Sequence, residues 1–378
     1  MSTTNFAALT TEELKLWSMD TWKVARKRSF YEQFTGTDEN SALQRITEFK
    51  ADRKGAKAVI TLVPDLAGNG VVQDQQLTGN EEAMVAYDYV FEVDQQRNGV
   101  KLAGRMADQK SIVDFRKKAR NALGYWLADM RDRLICLKLS GVAFNKRLDG
   151  TTITFNGAPD TLTNLSFATA VAPSSKRKLY LGAAGAITDG LGTDASVGTI
   201  RDFTYDDIVN LQSIAKTRGI KPVRGAGGAE MYHLIMHPRQ LAKLKLDSNF
   251  IQNVRHAGIR GTKNELFAGT GTSILVDGVM IHESLYTYNT LGATSGNRFG
   301  STGVDHGGRA LLLGAQAGAI GDIGDLEFME SDVNDYGNQP GIAIAKIWGV
   351  GKPQFKGSWD DSANLQDFGV ITVDAKIA

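Results

Sequence analysis

The sequence predicts an α+β protein in which an N-terminal arm, a projecting β-hairpin and one long spine helix precede a turn-rich body. Three stretches predict this. Over residues 108–140, Ile112, Phe115, Ala119, Ala122, Trp126, Met130, Leu134 and Leu137 step by three or four, with no proline and only Gly124 intruding. At 1.5 Å per residue this helix would run roughly 50 Å, beyond a typical globular helix. Ahead of it, Ala58–Val63 and Tyr87–Val93 read as two strands separated by some twenty polar, glycine-bearing residues. A connection of that kind is unusual inside a packed domain and suits a hairpin reaching away from the body. Behind the helix, most of the 41 glycines gather after residue 140.

The remaining elements follow from local signals. Residues 10–34 read as a helix, with Thr10 and Thr11 as caps and Glu12 and Glu13 in the first turn. Its aromatics, Trp17, Trp22, Phe30, Tyr31 and Phe34, need a surface to pack on. Its basic cluster, Lys23, Arg26, Lys27 and Arg28, reads either as a solvated face or as a contact with an acidic neighbour. In the second hairpin strand, Tyr87, Tyr89, Phe91 and Val93 alternate with Asp88, Glu92 and Asp94, and Val100–Ala103 suggests a third short strand. Residues 141–200, rich in Gly, Thr, Ser and Ala, read as loops and short strands. Thr204 caps a helix over 204–218 that ends at Gly219. Met231–Met236 is a strand, Pro238 starts a short helix through Leu246, and Ser273–Glu283 is a hairpin turning at Asp277-Gly278. Ile342–Val350 and Val370–Ile377 are late strands.

Composition narrows the class. The 378 residues suffice for two or three domains. Lys plus Arg is 43 and Asp plus Glu is 42, a balance that argues against nucleic acid as the main partner and suits dense association with like copies. The single cysteine, Cys136, cannot form an internal disulfide and lies in the apolar run Leu134–Leu137, so it reads as a buried small hydrophobe in a reducing compartment. The N-terminus lacks the pattern of a signal peptide, and no run approaches 18 apolar residues, so no membrane span is expected.

Catalytic patterns are weak. His233 and His237 stand four apart on a strand, too far to share one ion, and His282-Glu283 fails the H-E-x-x-H pattern because Tyr286 stands at the closing position. The Gly225–Gly228 and Gly269–Gly271 runs match neither a dinucleotide fingerprint nor a phosphate loop. No catalytic residue, cofactor or resident metal is expected. A metal-dependent hydrolase using His233, His237 or His282 is the alternative from another class.

A set of local motifs points elsewhere. Leu77-Thr78-Gly79-Asn80-Glu81-Glu82 is followed by Val93-Asp94-Gln95-Gln96-Arg97-Asn98-Gly99-Val100, then by Gly104, Gln109 and Asp114-Phe115-Arg116-Lys117-Lys118-Ala119-Arg120-Asn121-Ala122-Leu123 with Trp126. Further on stand His237-Pro238-Arg239-Gln240, Val276–Ser284 and Asp367-Phe368-Gly369-Val370. From about residue 70 to the C-terminus, this resembles the major capsid proteins of N-four-like short-tailed phages; residues 145–200 match no part of that pattern.

The resemblance implies a Hong Kong 97-type capsid fold: an arm over 1–56, an extended loop over 57–105, a peripheral domain with the spine helix over 106–200, an axial domain over 201–330, and returning strands over 331–378. It implies a structural subunit of an icosahedral head shell, built of hexamers and pentamers in the host cytoplasm, that encloses double-stranded DNA with the help of a portal. An encapsulin-like compartment subunit is the alternative within the same fold. A separate scaffolding protein is expected, since about 57 residues precede the hairpin and their aromatics suit packing better than a disposable segment. Some shells of this fold are cross-linked through a loop lysine; between Ala58 and Val100 there is none. That same span holds seven acids and one arginine, a net of −6, whereas Lys101–Arg147 holds twelve bases and four acids, a net of +8. Because the extended loop of this fold reaches over a neighbour near its spine, Glu81, Glu82, Arg97, Arg116, Lys117 and Lys118 are the candidate intersubunit contacts.

Overall fold

The computed structural model describes residues 11–46, 57–62, 70–81, 87–104, 106, 115–155, 158–159, 161–182, 187–189, 199–225, 228–257, 273–300, 302–331, 338–357 and 361–377. Two sheets are built around one long helix. Helix α1 (Thr11–Arg28) lies along helix α2 (Phe115–Ser140) in the same direction, with Asp20 near Arg120 at 3.8 Å and Arg28 near Asp129 at 3.5 Å. The described length of α2 is 26 residues, about 39 Å at the α-helical rise; the predicted start of the spine, residues 108–114, lies outside the described residues.

The buried face of α2 is turned by one residue from the stripe read in the sequence. Ala122 is exposed, while Ala119, Leu123, Leu127 and Ala128 are buried against Ala25, Leu326, Phe328, Ile342 and Ile344. The physical reason is that the helix serves two partners here, α1 and a sheet, and the Leu123–Leu127 edge faces the sheet. From Leu134 to Ser140 every residue is buried. The helix stops at Gly141, whose φ of +68° and approach to the Val171 carbonyl leave no room for a Cβ.

The predicted helix over 10–34 ends early, at Arg28. Ser29 Oγ (2.5 Å), Phe30 N (2.6 Å) and Tyr31 N (3.2 Å) all donate to the Asp132 carboxylate, and the chain continues as a short 3₁₀ turn, Tyr31–Phe34. A tertiary acceptor thus replaces the intrahelical carbonyls. Strands β1 (Thr35–Gly36) and β2 (Leu43–Ile46) then enter a five-stranded sheet.

Strand β3 (Lys57–Leu62) pairs antiparallel with β4 (Tyr87–Glu92), as expected for the hairpin. The third strand is longer and earlier than predicted. Strand β5 (Asp94–Lys101) follows β4 almost at once, and its polar sequence is held by pairing with a central strand rather than by its own burial. Strands β6 (Thr154–Phe155) and β7 (Ala158–Pro159) make a small hairpin. Next come β8 (Lys178–Leu181) and β9 (Ile187–Asp189), then helix α3 (Tyr205–Thr217), capped by Thr204 and ended by Gly219 as predicted, with Asp207 completing the capping box. Strands β10 (Val223–Arg224) and β11 (Glu230–Met236) lead to helix α4 (Pro238–Lys245), and helix α5 (Ser248–Ala257) is an element that sequence reading missed. The hairpin of β12 (Ser273–Val276) and β13 (Val279–Glu283) turns at Asp277 (φ 45°) and Gly278 (φ 74°), as the dipeptide requires. Strands β14 (Gly307–Leu313), β15 (Gly318–Ser331) and β16 (Gly341–Gly351) precede the β17 (Gln354–Gly357) and β18 (Asp361–Asp367) pair and β19 (Val370–Lys376).

The first sheet has the order β1-β2-β15-β16-β5 and carries α1 and α2. The second has β12-β13-β11-β14-β19-β8-β9, with β10 beside β11. Its core gathers Ile208 and Leu211 of α3, Leu241 and Leu244 of α4 and Phe250 of α5 around Leu234, Leu312 and Val373. Sheet membership crosses the segment limits read from the sequence: β8 joins the second sheet, and β15 joins the first. The last turns of α2 sit between the two sheets with Ile235, Leu311, Ile320, Trp348 and Val370.

Two buried ion pairs lie inside this junction. Arg309 grips Asp374 through two bonds of 2.7 and 2.8 Å and donates to the Ser140 carbonyl at 2.7 Å. Lys352 and Asp367, both fully buried, meet at 3.0 Å. Removing one member of such a pair strands the other charge, whereas replacing both by apolar groups need not be costly. We expect Asp374→Asn to lose about 3–5 kcal/mol in urea unfolding, and Arg309→Met with Asp374→Leu to lose much less.

Candidate assembly surfaces

The base of the extended hairpin is fastened to the body, and the described residues 70–81 of its far part are almost all exposed. Ile60, Phe91 and Val93 are buried with Ala319, and the Tyr89 hydroxyl accepts a bond from Lys352 N at 3.1 Å. The outward face carries the cross-strand pair Val59–Val90, about half exposed, beside the Lys57–Glu92 ion pair at 3.3 Å. Among residues 70–81 only Val71 is partly covered; Val72 is 66% and Leu77 is 56% exposed. The described part of the loop thus holds two apolar side chains largely in water.

The candidate contact residues fall on three elements. Glu81 is exposed at the end of that loop and accepts a bond from Gly79 N at 2.7 Å, at a turn where Gly79 has φ +91°. Glu82 lies outside the described residues. Lys117 and Lys118 are exposed in the first turn of α2, which Arg116 shares. Arg97 is exposed on β5 opposite Ala345. The helix therefore groups Arg116, Lys117 and Lys118, and the fold places Glu81 and Arg97 elsewhere.

The arm differs from the hairpin because its described aromatics, Trp22, Phe30, Tyr31 and Phe34, find partners on their own subunit. Trp22 lies between Arg131, 4.8 Å from its ring, and Lys346, 4.9 Å away. Tyr31 is fully buried and its hydroxyl donates to the Tyr286 carbonyl at 2.9 Å. The basic cluster is partly used within the chain: Arg26 pairs with Glu32 at 2.6 Å, and Arg28 with Asp129 and the Tyr125 ring. The hub of this docking is Asp132, which is buried in α2. Its burial pushes the carboxyl pKa up, against the three donors and Arg131 that favour its charge. The sequence signal for Asp132 was an acid beside the apolar run Leu134–Leu137, which spacing alone does not mark as a clamp.

The three candidate histidines, His233, His237 and His282, take structural positions. His237 caps α4, its Nδ1 accepting from Arg239 N at 3.2 Å. His233 and His282, on the parallel strands β11 and β13, meet at 3.0 Å between Nδ1 and Nε2. Among the described residues, no three His, Cys, Asp or Glu side chains gather as a metal site. Cys136 is buried, and burial pushes its thiol up to about 11.

These features were compared with known proteins. The family model described as phage capsid protein matches residues 5–378. The major capsid protein of Pseudomonas phage KPP25 is 44% identical over 371 residues, spanning 98% of this chain and 96% of that protein. The chain belongs to the phage capsid protein family. Two solved shells share its fold: the capsid of Ralstonia phage GP4, with a TM-score of 0.73 at 24% identity over 93% of this chain and 91% of that one, and the cyanophage Pam1 capsid, with a TM-score of 0.68 at 18% identity over 100% and 96%. This capsid protein has the Hong Kong 97-type fold and is a structural subunit of the virion shell, formed by association with its own copies, not an enzyme. No helix among the described residues is long and apolar enough to cross a membrane.

The Asp132 clamp gives a direct test of arm docking in this capsid protein. Asp132→Ala leaves one hydroxyl and two backbone N–H groups without their acceptor, at about 1–3 kcal/mol. We expect trypsin to cut at Arg26, Lys27 and Arg28 of the folded variant much faster than in the parent, as read by mass spectrometry of timed digests.

Proposed function

We propose that the capsid protein builds an icosahedral head of hexamers and pentamers around double-stranded DNA, and that its extended loop docks on the neighbouring subunit near the start of α2. In this reading the arm is 1–56, the extended loop 57–105, and the first sheet with α2 forms the peripheral domain. The second sheet with α3–α5 forms the axial domain, so that strands from 201–330 and from 331–378 divide between the two, while 106–200 gives α2 to the first and β8 and β9 to the second. The observation that carries the proposal is the loop over 70–81, where Val72 and Leu77 are more than half exposed. Apolar groups held in water on a projecting loop gain by burial against another molecule, at about 25 cal/mol per Å².

Charge supplies register. The span Ala58–Val100 carries −6 and Lys101–Arg147 carries +8. Glu81 and Glu82 of one subunit would face Arg116, Lys117 and Lys118 of the next, with Arg97 at the edge of the contact. Each exposed pair adds only about 0–1 kcal/mol, so repeated complementarity selects partner and register more than it adds affinity.

Scaffolding is supplied by a separate protein, and a portal and packaged DNA complete the partners. What supports a separate scaffold is the described arm, whose Trp22, Phe30, Tyr31 and Phe34 are built into the subunit core and its edge. Purified chain alone should then form few uniform shells in negative-stain microscopy; efficient closure to one size without another protein would remove the need for a scaffold. Reversing Glu81 and Glu82 to Lys should leave the chain folded by circular dichroism but cut shell yield severalfold. Salt should weaken the parent contact, because screening shortens to about 3 Å at 1 M. Normal shells from the double variant with unchanged salt tolerance would refute electrostatic docking.

A further inference from the structure

The segment Ser29–Phe34 links α1 to the first sheet, and it is held at both ends by polar groups of the body. At its start the holder is Asp132. At its end Phe34, 6% exposed, rests on two imidazoles: its ring centroid is 5.1 Å from His233 and 4.9 Å from His282. The rings are 3.0 Å apart between Nδ1 of His233 and Nε2 of His282, a distance at which one nitrogen donates and the other accepts. Parallel pairing of β11 with β13 brings these residues together, although 48 positions separate them in the chain.

We propose that the His233–His282 pair is an acid-sensitive seat for the arm, and that placing protons on both rings unseats Phe34 and frees the Ser29–Phe34 segment from the body. With one proton missing from the pair, the N–H···N bond survives. With both rings charged, neither nitrogen of that contact can accept, and two cations face each other beneath a phenyl ring.

The surroundings offer the charged pair little compensation. Strand β14 faces His233 in register with Leu313. The arm brings Phe34 and the Tyr31 phenol, whose hydroxyl is bonded to the Tyr286 carbonyl. Helix α2 brings Cys136 and Asp132, which act on Tyr31. Burial lowers the pKa of His233; burial and then repulsion from His233 lower His282 to about 4, and among the described residues no carboxylate acts on either ring. Released to water, each ring returns to about 6.5. The docked arm therefore binds fewer protons than the released arm. Seating is fully present above about pH 6.5 and is lost as pH falls toward 4. Asp132 acts in the opposite sense, since burial raises its carboxyl, so acid release is assigned to the histidine end.

Hydrogen exchange of the full-length chain, kept below its assembly concentration, tests this independently of how copies contact one another. Protection of peptides covering residues 29–36, corrected for the intrinsic pH dependence of exchange, should fall at least tenfold between pH 7 and pH 4, and on the order of a hundredfold if His282 alone shifts from 6.5 to 4. Peptides of β14 and β19 should keep their protection over the same range. His282→Gln should hold the arm seated at pH 4, while Phe34→Ala should lose the protection already at pH 7. Constant protection of 29–36 down to pH 4, or a loss that coincides with loss across β14 and β19, would overturn the proposal. So would a folded His282→Gln variant that releases the arm at the same pH as the parent. If that variant does not fold, the parent profile decides.

Discussion

The last two turns of α2 are buried on every side, and both sheets are packed against them. Leu134, Ile135, Leu137 and Leu139 meet Leu311 and Ile235 from the second sheet, and Ile320, Trp348 and Val350 from the first. An amphipathic helix offers one stripe to one layer; a helix buried all round can hold two layers. The abrupt stop at Gly141 serves the same end, because a longer helix would run into the 171–173 segment. The relative placement of the hairpin, the arm and the second sheet depends on this one junction.

Several polar groups reach this apolar junction in bonded arrangements. Arg309 joins Asp374 to the Ser140 carbonyl, tying β14, β19 and the end of α2. Lys138 donates to the Phe167 and Thr169 carbonyls at 2.8 Å each, and burial beside Lys352 brings it down to about 8. Asp367 accepts from Lys352 and from Gln354 and holds Ser174 in place. Such pairs contribute little net stability compared with apolar residues of the same volume, but any rearranged packing would strand a charge. For a subunit repeated around a shell, a single packing arrangement matters as much as the free energy of unfolding.

The arm and the hairpin solve the exposure of apolar groups in opposite ways. The arm brings large aromatics and finds cover for them on its own subunit, through Asp132, Tyr286 and the histidine pair. The hairpin fastens its base with Phe91 and Val93 and leaves Val72 and Leu77 in water. A subunit built in this way covers the apolar groups of its described arm and leaves those of the described loop exposed.

Local signals were legible wherever a residue's own chemistry dictates the backbone. Thr204 with Asp207, Pro238 and Asp277-Gly278 mark the elements they cap or turn, and alternation in Tyr87–Val93 marks the inward face of the hairpin. The capsid motifs around Glu81, Arg97 and Lys117 were also readable, because they are contiguous in the chain. The tertiary structure decided the rest. Strand β5 is polar and becomes a strand by pairing with β16; α1 ends at Arg28 because Asp132, a hundred residues away, outbids its own carbonyls; Leu123 rather than Ala122 faces inward because α2 answers to a sheet as well as to α1. His233 and His282 meet through strand pairing that no spacing announces. In each case the deciding partner is distant in sequence, and its energy exists only once the chain has folded.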